Sequence, residues 1–104
     1  MEDLHAIFTT FKKEFPDVHE DNEVLGKVIH EKSGPLSERE RWLLKIVISG
    51  ASRHSLALET HIKKAREAGV SDAEIKHALL LLIQSVGFPT FMEAYAALKR
   101  ISKD

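Results

Sequence analysis

Histidine carries much of the chemistry open to this chain, because it has six histidines and no cysteine. Thiol catalysis, disulfides and cysteine-bound metals are thereby excluded. The histidines are His5, His19, His30, His54, His61 and His77. No two stand three or four residues apart, the helical spacing that lets two imidazoles grip one ion. His54 and His61 share a helix face, but about 10 Å of rise separates their backbones. A metal would need roughly 2.1 Å to each. No metal site is expected. His19-Glu20-Asp21 is rich in ligand atoms, yet adjacent side chains point different ways, so the segment reads as a solvated turn.

His61 stands apart because it lies among Leu58, Ile62 and Ala65 on one helix face. In one reading it is a general acid or base, since imidazole titrates near neutrality and a dry pocket with a carboxylate would tune it. In the other it is a half-buried histidine bonded to a backbone carbonyl or a carboxylate. Carboxylates that could reach such a pocket are Glu38, Glu40 and Glu74, all in first turns of helices. For Glu40 and Glu74 a capping role competes strongly. The chain has no glycine-rich phosphate loop, no Gly-x-Ser-x-Gly elbow and no His-Glu-x-x-His. Ser55 and Ser85 have no general base nearby in sequence, and Lys63-Lys64 and Lys99-Arg100 read as solvated faces.

The elements that must position these residues are helical. Glycine (5) and proline (3) cluster at obvious breaks. A first helix is expected over about residues 2–15, with Leu4, Ile7, Phe8, Phe11 and Phe15 on one stripe; Pro16 stops it. A second, over about residues 21–31, should turn Val24, Leu25, Val28 and Ile29 inward, before Ser33-Gly34-Pro35 breaks the chain. The third opens on the capping box Ser37/Glu40 and runs to about Gly50. The fourth covers about residues 54–68 and stops at Gly69, a good left-handed residue. The fifth opens on a second box, Ser71/Glu74, with Val70 stapled on Ile75, and continues to Gly87. The last starts near Pro89-Thr90, with Thr90 and Glu93 able to cap it, and buries Phe91, Tyr95 or Ala94, and Leu98.

The third and fifth helices are apolar on almost every face in their middles. A domain of 104 residues has little room for two enclosed helices, so other subunits are expected to cover part of this surface. The alternative is a helix hairpin buried centrally by the rest of the same chain. Lysine plus arginine (15) nearly balances aspartate plus glutamate (16), which argues against a nucleic-acid binder. No apolar run is long enough for a membrane span. The acidic, amphipathic start is unlike a signal peptide, so the cytoplasm is the expected location.

The stretch Leu36-Ser37-x-Arg39-Glu40-Arg41, then Ala51-Ser52-Arg53, His61-Ile62-x-x-Ala65, Ala68-Gly69-Val70-Ser71-x-x-Glu74-Ile75, Gly87-Phe88-Pro89-Thr90 and Ala94-x-x-Ala97 resembles the carboxymuconolactone decarboxylase family. That superfamily includes the alkyl hydroperoxidase D proteins. The resemblance runs from Leu36 to the end and implies an all-α bundle of about six helices, assembled as a dimer, trimer or hexamer. In the peroxidase branch two cysteines precede the matching histidine by seven and four residues. Those positions are His54 and Ala57 here, so both sulfurs are missing, while the proton-relaying histidine matches His61. The family's upstream glutamate falls on Trp42, with Glu38 and Glu40 nearby. In place of the decarboxylase branch's acid-rich segment stands Ser52-Arg53-His54-Ser55.

Two functions of different class follow. The first is a cofactor-free enzyme on a small organic acid or lactone, with His61, His54 and Glu40 as catalytic candidates and Arg53 and Trp42 as substrate-binding candidates. The second is a homo-oligomeric binding or scaffold protein that kept the fold and lost the redox site.

Overall fold

A computed structural model describes residues 4–102, with side chains described from Ala6 to Ser102; His5 and the inward role expected of Leu4 lie outside the described side chains. The described chain is helical throughout: α1 (Leu4–Glu14), α2 (Pro16–Lys32), α3 (Glu38–Ala51), α4 (Ser55–Glu67), α5 (Asp72–Leu80), α6 (Leu82–Val86) and α7 (Phe88–Arg100). It divides into two units, Met1–Pro35 and Leu36–Asp104.

The first unit is a helix pair folded at Phe15. Pro16 does end α1, but it also starts α2, where a missing N–H costs nothing. The second helix is thus longer than periodicity implied. Phe8 and Phe11 pack edge-on against His19, with ring centroids 5.4 and 6.4 Å apart. The inward turn expected of Val24, Leu25, Val28 and Ile29 does not occur: no residue of α2 is buried. Two helices alone enclose too little volume to hide both apolar stripes. An amphipathic pattern states which face wants burial, not what buries it.

The second unit holds the core. Ile46 of α3, Leu58 and Ile62 of α4, Ile75 and Leu79 of α5, Leu82 of α6 and Leu98 of α7 are almost wholly enclosed. Both capping boxes form as the sequence predicts. Ser37 Oγ accepts from the Glu40 amide at 3.1 Å and the Glu40 carboxylate from the Ser37 amide at 2.8 Å. Ser71 and Glu74 repeat the same two distances. Gly69 closes α4 with φ +90°. Its N–H reaches the Arg66 carbonyl and that of Val70 reaches Ala65, each at 3.0 Å, the paired bonds of a Schellman motif.

Two expectations are corrected. The fifth helix is interrupted at Leu81, whose N–H is shared between the carbonyls of His77 (3.3 Å) and Ala78 (3.2 Å). This tightening of the turn separates α5 from α6, and Leu82 beyond it is buried. The last helix begins at Phe88, follows Gly87 and carries no side-chain cap; Glu93 is engaged elsewhere. Leu44 and Ile48 of α3, with Leu80 at the end of α5 and Leu81 after it, are about half exposed or more. The central, fully buried hairpin is therefore not what this unit forms. Among the described residues no helix is long and apolar enough to cross a membrane.

Candidate functional site

Successive turns of α3 place Trp42, Ile46 and Ser49 on one face, and α4 answers with Leu58, His61, Ile62 and Ala65. Ile46, Leu58, Ile62 and Ala65 make this an apolar seam. One polar pair crosses it. Ser49 Oγ lies 2.8 Å from His61 Nδ1. Ser49 is the buried polar residue of the described core, 5 % exposed, and a hydroxyl there needs a partner. His61 is half-buried, its ring 5.9 Å from that of Trp42. Lys45 Nζ sits 5.0 Å over the other ring system's centroid, that of Trp42.

The Ser49 contact defines what the imidazole can do. If the hydroxyl donates, Nδ1 accepts and the ring proton sits on Nε2. If Nδ1–H donates, Nε2 is the basic nitrogen. Either way Nδ1 is engaged by Ser49.

Beyond Ser49 the chain reverses through Ser52-Arg53-His54. Arg53 adopts φ +61°, the left-handed region, as no other non-glycine residue described does. The reason is the same motif that Gly69 serves. The Arg53 N–H bonds the Gly50 carbonyl at 3.2 Å and the His54 N–H bonds the Ser49 carbonyl at 3.0 Å. Arginine stands where glycine would be unstrained. Its guanidinium reaches α7, with Nε donating to Glu93 Oε1 at 2.9 Å and Nη2 to Oε2 at 2.6 Å. This two-point pairing raises the pKa of Arg53 and holds the Glu93 carboxyl below its ordinary range.

Ser49, Arg53, His54, Leu58 and Glu93 line a shallow, partly open crevice with no room within it for a water molecule. Ser49 therefore belongs both to the crevice wall and to His61. Of the residues singled out from sequence, His61 and Trp42 come together on one side of Ser49, and Arg53 and His54 on the other. Glu40 joins neither group. Its exposed carboxylate is bound in the α3 cap, and the Ser37 hydrogen bonds lower its pKa. Sequence reasoning missed Ser49 and Glu93. Ser49 carries no local signal, being one small polar residue in an apolar run, and Glu93 read equally well as a cap. Among the described residues no three of His, Asp and Glu gather as a metal site.

The model of the carboxymuconolactone decarboxylase family matches residues 16–100. The chain belongs to that family. The match takes in α2 as well as the whole α3–α7 core, so it starts upstream of the motifs recognised from Leu36. Membership gives the bundle its name, an alkyl hydroperoxidase D-like fold, in a member without cysteine. No curated protein matches the chain.

Proposed function

We propose that this family member is an acid–base enzyme that acts without a cofactor on a small organic acid or lactone, with His61 as the proton-transferring group. The Ser49–His61 hydrogen bond carries the reading. A base whose far nitrogen is fixed by a buried partner presents its near nitrogen in one orientation, which general acid–base catalysis requires. Trp42 supplies an apolar wall to the imidazole. Arg53 would hold the substrate carboxylate, exchanging Glu93 for it, with His54 beside the same crevice. Glu40 is left to its cap. The dithiol peroxidase route has no cysteine thiols in this chain to run on.

Copies of the chain are proposed to assemble, because the apolar faces of α3 and of the α5–α6 region stay open to solvent in a single copy.

A second reading has its own support. Arg53 is already paired at two points with Glu93, and the crevice beside Ser49 has no room for a water molecule. A scaffold that kept the bundle and lost the chemistry would look the same there. A thermal-shift screen of small carboxylic acids and lactones separates the two, run on the wild type and His61→Ala. The enzyme reading expects ligands that raise the wild-type melting temperature and lose that effect in His61→Ala. Stabilisation that survives the substitution, or a screen without ligands, favours the scaffold.

A further inference from the structure

Charge is divided unevenly along the chain. Residues 1–35 hold eight carboxylates against four lysines, a net −4, whereas residues 36–104 hold eight against eleven basic groups, a net +3. Within α1 and α2 themselves six carboxylates stand against four lysines, a net −2, and residues 36–102 hold seven against ten basic groups, a net +3. The near-neutral whole thus conceals an acidic helix pair and a basic bundle.

Each half also leaves apolar surface open. In the helix pair, eight large apolar side chains, Val24, Leu25 and Val28 among them, are between 42 % and 58 % exposed. They present on the order of 700 Å² of apolar surface, close to the roughly 800 Å² per partner of a standard stable interface. Acidic residues flank that surface along α2: Asp17, Glu20 and Asp21 share its first turns. In the basic unit, α3 carries Arg41, Leu44, Lys45 and Ile48 at the spacing of one helix face, with Leu44 48 % and Ile48 62 % exposed. An acidic apolar face and a basic apolar face are complementary. Two copies of the helix pair facing each other would instead bring like net charge, −2 against −2, together.

We propose that the acidic α1–α2 pair of one copy docks on the basic α3 face of a second copy, so that the chain assembles by exchanging this arm. The inference rests on the self-assembly proposed above and names the surfaces that perform it. Each arm–bundle contact joins two unlike surfaces, and two copies that exchange arms about a twofold axis make it twice and close as a dimer.

Sedimentation equilibrium on the full chain tests it. The wild type is expected to self-associate and to dissociate more readily as salt rises from about 50 mM to about 500 mM, because opposite charges are being screened. Leu25→Gln/Val28→Gln, which preserves both charge and helix propensity, is expected to weaken association by roughly tenfold or more. Leu44→Gln/Ile48→Gln should do the same from the other surface, with helical circular dichroism retained in both. A wild type that stays monomeric at about 100 μM, well above ordinary dissociation constants, overturns the assembly itself. A wild type that associates but tightens with salt, or is indifferent to the α2 substitutions, keeps the assembly and overturns the arm exchange.

Discussion

Ser49 and His61 depend on each other in a way that a count of core residues would hide. The hydroxyl is buried, so its bond to Nδ1 at 2.8 Å satisfies a group that would otherwise cost stability. Ser49→Ala removes the donor or acceptor and leaves the imidazole Nδ1 without this bond; urea unfolding should show a loss of about 1–2 kcal/mol. A change within experimental error would mean that the pair is not held together in solution. Arg53 and Glu93 make a different residue-scale prediction, since both are exposed and the effect lies in pH. Arg53 holds the Glu93 carboxyl below its ordinary pKa, chiefly by hydrogen bonding. A carboxylate whose pKa is lowered by folding stabilises the native state above its unfolded pKa, and that contribution is lost as pH falls through the lowered value. The melting-temperature gap between wild type and Glu93→Gln is therefore expected at neutral pH and should close toward about pH 2. A gap that persists unchanged in acid would assign Glu93 another role.

Helix starts are where the sequence spoke most clearly, because capping is local: a serine and a glutamate three apart close a ring of bonds that needs no distant partner. The boxes Ser37/Glu40 and Ser71/Glu74 and the Gly69 stop could be read directly. Interruption at Leu81 could not, since the run Ala78 to Ile83 is apolar throughout and offers no change of period. Ser49 was concealed by the opposite effect, one small polar residue inside an apolar run whose partner lies on another helix. The α5 box has a further duty. Arg39 of α3 pairs with the Glu74 carboxylate and donates to the Gly69 carbonyl at 3.0 Å, tying α3 to the α4–α5 turn. Ser71→Ala should cost about 1 kcal/mol in urea unfolding, the usual worth of an N-cap. Glu74→Ala should cost more than Ser71→Ala, because it breaks the cap and the link to Arg39 together. Equal losses would show that the Arg39 pairing adds nothing.

At the scale of the whole molecule, the two units differ in how their backbones are protected. In α3–α7 the helices share a core in which Ile46, Ile62, Ile75 and Leu79 have no exposure at all. Their amides should exchange with solvent only through large openings of the unit. No residue of α2 is buried, and a helix of 17 residues gains little stability in water from its own hydrogen bonds. Protection of α2 must come from whatever covers its apolar stripe. If that cover is another copy, protection follows mass action and rises with concentration. Hydrogen–deuterium exchange at about 1 μM and about 100 μM protein, below and above ordinary dissociation constants, should find α2 peptides fast in the dilute sample and slowed in the concentrated one. The α4 and α7 peptides should be slow in both. If α2 is as protected as α7 in a dilute sample that sedimentation shows to be monomeric, the stripe is not left open in a single copy, and the exposed arm is not what the dissociated protein carries.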